Sequence, residues 1–237
     1  DDADSDDLWI FGYGSLVWKA DFPFESRKTG YIEGFERKFY QNSIDHRGTA
    51  AKPGRVVTLI KSDDPTAKVY GVAYRISKEK KKEVLEHLDY REKNGYQRYP
   101  VLFHPYSREN ISCKPRELII YIANETNDSY AGDVNDLDDI TEQIYAAVGP
   151  SGTNREYVYK LANAMRLLFP GERDDHLFEL EQKLRIREQK ELLLAESIKR
   201  NLLITIKNAI KAQLTVQEVL LLIDSEFENC LKLYRYK

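Results

Sequence analysis

Between Phe11 and Leu16 the chain reads Phe-Gly-Tyr-Gly-Ser-Leu, directly after the hydrophobic run Leu8-Trp9-Ile10. Small residues at a strand end expose consecutive backbone N–H groups, and such concavities bind carboxylates or phosphates. Two better-known motifs fail here on the same residue. A dinucleotide fingerprint and a nucleophile elbow both need glycine where Val17 stands, and no helix is signalled after it. A glycine turn that merely closes a strand is the equally open alternative.

A second chemical possibility lies in Leu88-Asp89-Tyr90-Arg91-Glu92-Lys93-Asn94-Gly95-Tyr96. Alternating charge at a helix end reads first as a solvated face. A carboxylate turned inward between Tyr90 and Tyr96 would instead have its pKa raised toward neutrality and could shuttle a proton. Asp45-His46-Arg47 looks like a fragment of a catalytic triad. Adjacent Asp and His cannot easily adopt the orienting geometry, which favours an ion-paired turn. Gly149-Pro150-Ser151-Gly152, followed by the Thr153-x-x-Glu156 capping box, reads as a loop shaping a helix N-terminus.

The elements that position these residues follow from periodicity. Leu8–Phe11, about Gly34–Asn42, Arg55–Ile60, Lys68–Ile76, Tyr99–His104 and Glu117–Ala123 read as strands, the third and fourth as a hairpin around Ser62–Pro65. Ser77 to about Tyr90 switches to a helical period, with Val84, Leu85 and Leu88 on one face and Ser77 as its cap. From Leu137 onward the pattern is helical, with no further strand signal. One helix is expected over about Leu137–Val148, and the next runs from the capping box to Phe169-Pro170-Gly171. Leu194, Ile198, Leu202, Ile206, Ile210 and Leu214 recur every four residues as a stripe, and Thr215-x-x-Glu218 is a second capping box. The predicted class is α+β: a small mixed β-barrel flanked by helices, with a helical C-terminal extension.

Composition bounds the function. The 237 residues are 42% hydrophobic and 32% charged, which excludes collagen-like and wholly disordered chains. A chain of this length buries roughly 70% of its unfolded surface, enough for one sizeable core. Net charge is −3, so no basic field points to nucleic acid or an anionic membrane. Cys113 and Cys230 are too few and too far apart for a disulfide framework or a zinc knuckle. His46, His87, His104 and His176 lack metal-ligand spacing. The early apolar run is too short to span a bilayer and follows an acidic stretch, Asp1–Asp7, unlike a signal peptide. A cytoplasmic protein without metal or cofactor is expected. The first residue is Asp1 and the one methionine is Met165, so the initiator is expected to have been removed.

Six segments taken together resemble the ChaC family of glutathione-specific γ-glutamylcyclotransferases. They are Trp9–Lys19, Asp45–Gly48, Pro53–Leu59, Gly71–Arg75, Leu88–Tyr96 and Gly149–Gly152. The resemblance covers about residues 8–184. It implies a barrel of the γ-glutamylcyclotransferase type and cleavage of glutathione to 5-oxoproline and cysteinylglycine. It makes Glu92 the proton acceptor and Ile10, Phe11, Gly12, Tyr13, Gly14, Ser15 and Leu16 the segment that holds the γ-glutamyl group. Arg47, Arg55 and Tyr121 are further candidates for the rest of the substrate, with structural roles equally open. The chain departs from the family at Tyr130-Ala131-Gly132-Asp133, where Tyr-Leu-Gly-Pro is usual.

Three divisions are therefore expected: an acidic start over 1–7, a cyclotransferase domain over 8–184, and a helical extension over 185–237. The extension carries 10 basic and 7 acidic residues, too mild a balance for nucleic acid. Monomer and dimer through these helices are both open. Cyclisation of other γ-glutamyl compounds, and a non-catalytic binding protein of the same fold, are the competing functions.

Overall fold

In the computed structural model, nine strands and five helices follow one another, described over residues 7–91, 96–106, 114–123, 127, 129–132 and 136–235. Strands β1 (Leu8–Gly12), β2 (Ser26–Glu33), β5 (Lys68–Ile76), β6 (Tyr96–Pro105) and β7 (Arg116–Ala123) close a barrel in the order β1-β5-β2-β6-β7. Every pair is antiparallel except the closing one, where Ile10 of β1 meets Ile119 of β7 in parallel. Strands β3 (Phe35–Ser43) and β4 (Gly54–Lys61) form a separate ribbon, with a register shift between Lys38 and Gln41.

Two expectations about strands are corrected. The anticipated hairpin of Arg55–Ile60 with Lys68–Ile76 does not form, because both edges of β5 are taken by β1 and β2 while β4 pairs with β3. The second correction adds strands: β2 gave no signal because its first half, Ser-Arg-Lys-Thr, is polar and only Gly30 and Ile32 are buried. A two-residue ribbon of β8 (Val148–Gly149) and β9 (Gly152–Thr153) also frames the expected Gly149–Gly152 loop, in a region where no further strand was expected.

Helix α1 (Lys81–Arg91) buries Val84 and Leu88, one turn apart. Ser77 occupies the cap position of a short 3₁₀ turn ahead of α1, but its hydroxyl makes no capping bond. Helix α2 (Leu137–Ala146) is capped by Asp136, which accepts from the Asp139 N–H at 2.8 Å. In α3 (Asn154–Leu168), Tyr157, Val158, Leu161, Ala162 and Met165 form the buried face. Thr153 accepts from the Glu156 N–H, the expected cap. The chain divides into two compact units, Asp1–Gln182 and Lys183–Lys237. Helix α4 (Asp175–Lys211) contributes to both, and α5 (Val216–Arg235) belongs to the second. Among the described residues no helix is long and apolar enough to cross a membrane.

At the start of α4, His176 accepts a hydrogen bond from the Phe39 N–H at 3.0 Å and lies between the rings of Phe39 and Tyr40. Burial, then the charge of Lys38, pushes its pKa down to about 4 against the opposing pull of Asp174 and Glu36. The imidazole is thus neutral in the fold, whereas the unfolded chain protonates it below about 6.5. Its contribution to stability is complete above pH 6.5 and is lost as pH falls toward 4. The expected loss is about 2 kcal/mol by pH 5 and about 3 kcal/mol at full extent. Urea unfolding at pH 7 and pH 5 measures this, and His176→Gln, which keeps an acceptor for Phe39, should show a flatter pH profile than the wild type.

Candidate active site

The loop after β1 is fastened to both strands that flank β1. The Tyr13 side chain is buried, and its hydroxyl donates to the Tyr121 carbonyl on β7 at 2.6 Å. From the other side the Tyr74 hydroxyl on β5 donates to the Leu16 carbonyl at 2.6 Å. Ser15–Val17 then make one 3₁₀ turn, in which Val17 N–H bonds to Gly14 O at 3.0 Å and Lys19 N–H to Ser15 O at 2.9 Å. That turn engages the N–H groups from Val17 onward. The loop's backbone is therefore held in a fixed frame, which is what recognition of a carboxylate or a developing oxyanion by backbone donors requires.

Close approach dictates glycine at Gly12 and favours it at Gly14. A Cβ on Gly12 would overlap the Leu16 side chain, so the turn can fold back only over a bare α-carbon. A Cβ on Gly14 would stand 3.0 Å from both the Tyr157 hydroxyl and Val57. Tyr157 is buried in α3, with Trp18 against its ring edge at 5.2 Å. The Arg47 guanidinium lies 5.9 Å from the same ring, so Tyr157 joins the first loop to the Asp45–Gly48 loop. Ile10 and Phe11 are buried in β1, and Phe11 packs on Phe103 across the barrel.

Tyr121 has a second function in this frame. Its hydroxyl donates to the Asp89 carboxylate at 3.1 Å, near the end of α1. Arg98 on β6 grips the same carboxylate in a fork, through Nε at 3.1 Å and through its terminal nitrogen. The Asp89 hydrogen bonds raise the Arg98 pKa. One buried tyrosine thus ties the loop, by its carbonyl, to the last turn of α1, by its hydroxyl. Asp89 is three residues before Glu92 in the chain. Glu92, like Asp133, lies outside the described residues.

Arg47 and Arg55 are both buried and both engaged within the protein. Arg47 donates to the Thr153 carbonyl at 2.9 Å and to Glu156 at 2.7 Å. Lys160 first, and Arg47 second, hold the Glu156 carboxyl below its usual range. The backbone of Arg55 is clasped by the Asn154 amide, which accepts from its N–H at 2.6 Å and donates to its carbonyl at 2.8 Å. Its guanidinium donates to Gln143 at 2.7 Å and to the Phe39 carbonyl at 3.3 Å, and burial lowers its pKa. Arg55 and Gln143 also border an open cleft of about 640 Å³, together with Asn42, Lys52 and Ala131. None of the residues Gly12–Leu16 lines that cleft. Among the described residues no group of three His, Cys, Asp or Glu side chains is placed to hold a metal ion.

The structure thus brings Gly12–Leu16, Tyr121 and, through Tyr157, Arg47 into one frame, and places Arg55 at a separate cleft. Sequence reasoning missed Tyr74, Tyr157 and the Asp89–Arg98 fork. Tyr157 is one of 16 tyrosines with nothing in its local sequence to separate it from the rest, and Tyr74, although inside the Gly71–Arg75 segment, carries no sign that its hydroxyl reaches the loop. Asn154 could be read only as a member of a capping box.

A family model of ChaC-like proteins matches residues 8–187. The glutathione-specific γ-glutamylcyclotransferase 1 of Danio rerio is 41% identical over 184 residues, which cover 77% of this chain and 91% of that protein. The glutathione-specific γ-glutamylcyclotransferase of Schizosaccharomyces pombe is 33% identical over 194 residues, covering 77% and 95%. Among solved structures, the yeast γ-glutamyl cyclotransferase specific to glutathione superimposes with a TM-score of 0.70 at 31% identity, covering 76% of this chain and 96% of that one.

Proposed function

Since the chain belongs to the ChaC-like family, we propose that it cleaves glutathione by cyclising the γ-glutamyl group, releasing 5-oxoproline and cysteinylglycine. The observation that carries this reading is the loop at the end of β1, held from both sides by Tyr13 and Tyr74. Glutathione brings its own nucleophile. Its α-amine nitrogen attacks the γ-carbonyl carbon, a five-membered ring forms, and the bond from that carbon to the cysteinyl nitrogen breaks. Holding the two ends of one molecule in attack geometry supplies roughly 7–11 kcal/mol of the barrier.

In this reading Glu92 takes the proton from the α-ammonium and returns it to the leaving cysteinyl nitrogen. One carboxylate serves both steps when its pKa sits near neutrality. Backbone from Ile10 to Leu16 holds the α-carboxylate and the oxygen on which charge develops. Tyr121 fixes the turn leading to Glu92, while Arg47 shapes the wall that meets the rest of the tripeptide and Arg55, at the separate cleft, braces β4. The reaction needs no external nucleophile, so the reading includes no metal or cofactor. Residues 8–184 would carry the chemistry, in the cytoplasm, and residues 185–237 would form a helical appendage.

The test is product analysis of the full chain with millimolar reduced glutathione, beside γ-glutamyl dipeptides. Equimolar 5-oxoproline and cysteinylglycine, formed faster than 5-oxoproline from the dipeptides, is the expected result. Faster turnover of the dipeptides, or no 5-oxoproline from glutathione, overturns the assignment.

A further inference from the structure

The unit Lys183–Lys237 is a helical hairpin with one more apolar face than a hairpin can bury. Its α4 segment turns back through Gln213, in left-handed conformation at φ 54°, into the Thr215–Glu218 capping box of α5. Asn201 of α4 meets Cys230 of α5 at 3.5 Å, which fixes the antiparallel register. Ile198, Leu202 and Ala209 on α4, with Val219, Ile223 and Cys230 on α5, are the half-buried and buried positions between the helices.

A second set of large apolar residues lies in solvent. Among them, Leu203, Ile206 and Ile210 on α4 and Val216, Leu220 and Phe227 on α5 share one side of each helix, while Ile204, Leu221 and Leu222 are exposed on other sides. Ile210 and Val216 are 70% and 78% exposed. At about 100° per residue, each set is displaced from its helix's inward face by roughly a sixth to a quarter of a turn in the same rotational sense. In an antiparallel pair the same sense brings both sets to the same side. The hairpin therefore presents an apolar face stepped by 3 and 4 residues on α4 and by 4 and 7 on α5, multiples of the helical repeat such as the inner layer of a four-helix bundle uses.

Charge says what covers it. From Ser197 to Lys211, α4 carries Lys199, Arg200, Lys207 and Lys211 and no acid. From Val216 to Cys230, α5 carries Glu218, Asp224, Glu226 and Glu228 and no base. Among the described residues, none of these eight charges forms an ion pair across the hairpin. Facing α4 with another α4 opposes like charges, whereas facing it with an α5 opposes unlike ones. A two-fold axis makes both favourable contacts at once and closes the assembly.

We infer that the occupant of this face is a second copy of the chain, the basic α4 of each copy lying on the acidic α5 of the other in an antiparallel four-helix bundle. The inference stands apart from the chemistry proposed above. Sedimentation equilibrium of the full chain tests it. The wild type should be a dimer at micromolar concentration. Reversing Lys199→Glu with Lys207→Glu, or Asp224→Lys with Glu228→Lys, should raise the dissociation constant at least about tenfold. The four changes together should restore it to within about threefold, because the arms are complementary again. All these positions are exposed, and circular dichroism verifies that the helices persist. Ile206→Glu should give a monomer of unchanged helicity. A monomeric wild type overturns the inference, as would a dimer indifferent to either reversal or one that the fourfold change fails to rescue.

Discussion

Glu92→Gln is expected to fold as the wild type does and to lose turnover of glutathione by a factor on the order of 10²–10⁴, the span that a positioned proton carrier contributes. Glutamine keeps the shape and polarity of the side chain and removes the capacity to accept and return a proton. The loss should fall on kcat, with KM little changed, because the loop that holds the γ-glutamyl group is untouched. Glu92→Asp separates chemistry from position: it keeps the carboxylate, retracts it by one methylene, and should land between wild type and Gln. Rates from quantified 5-oxoproline, alongside urea midpoints for all three proteins, decide the matter. Wild-type turnover in the glutamine variant would remove Glu92 from the mechanism and direct attention to Asp89, which the Arg98 fork and the Tyr121 hydroxyl now occupy.

The second large effect is expected at Gly12. Alanine there sets a methyl group onto the Leu16 side chain, and the turn must open. A displacement of about 1 Å at groups that position a reacting molecule costs on the order of 10²-fold in rate. Overpacking at such a site destabilises by about 1–3 kcal/mol. Gly14→Ala is the graded comparison. Its new methyl would stand 3.0 Å from the Tyr157 hydroxyl and Val57, tight but accommodated by shifts of a few tenths of an ångström. The expected order of turnover is wild type, then Gly14→Ala, then Gly12→Ala. A Gly12→Ala protein as active as the wild type would show that the loop's closed turn has no part in holding substrate.

What could be read in the sequence is what local chemistry writes there. Strand β1 announces itself as a hydrophobic run ending in glycine, and α3 and α5 announce their starts through Thr153 and Thr215. The two-fold period fails for β2, whose exposed half carries arginine and lysine. Pairing fails as well, because β4 and β5 are adjacent in sequence but joined to different sheets. The hydroxyls of Tyr13 and Tyr74 find backbone carbonyls 108 and 58 residues away, and a carbonyl leaves no mark in a sequence. The four-residue stripe from Leu194 to Leu214 was expected on one face. Each step of four advances 400°, so the stripe drifts by 40° per step and passes from half-buried Leu194, Ile198 and Leu202 to exposed Ile206 and Ile210.

The closing pair of the barrel carries a consequence for the order of events at birth. Strand β1 has only two partners, β5 at residues 68–76 and β7 at residues 116–123. A chain leaving the ribosome at about 5–20 residues per second keeps its Ile10 edge waiting roughly 5–20 s for Ile119. The carbonyl that anchors Tyr13 is on Tyr121 and arrives with the same strand. Barrel closure and the Tyr13 anchor are therefore one late step, and a nascent or nicked chain lacking β7 has neither, keeping only the Tyr74 tie. The closed barrel and the second anchor of the loop arrive together, after half the polypeptide has been made, and a hydrophobic first strand must be kept from other company until then.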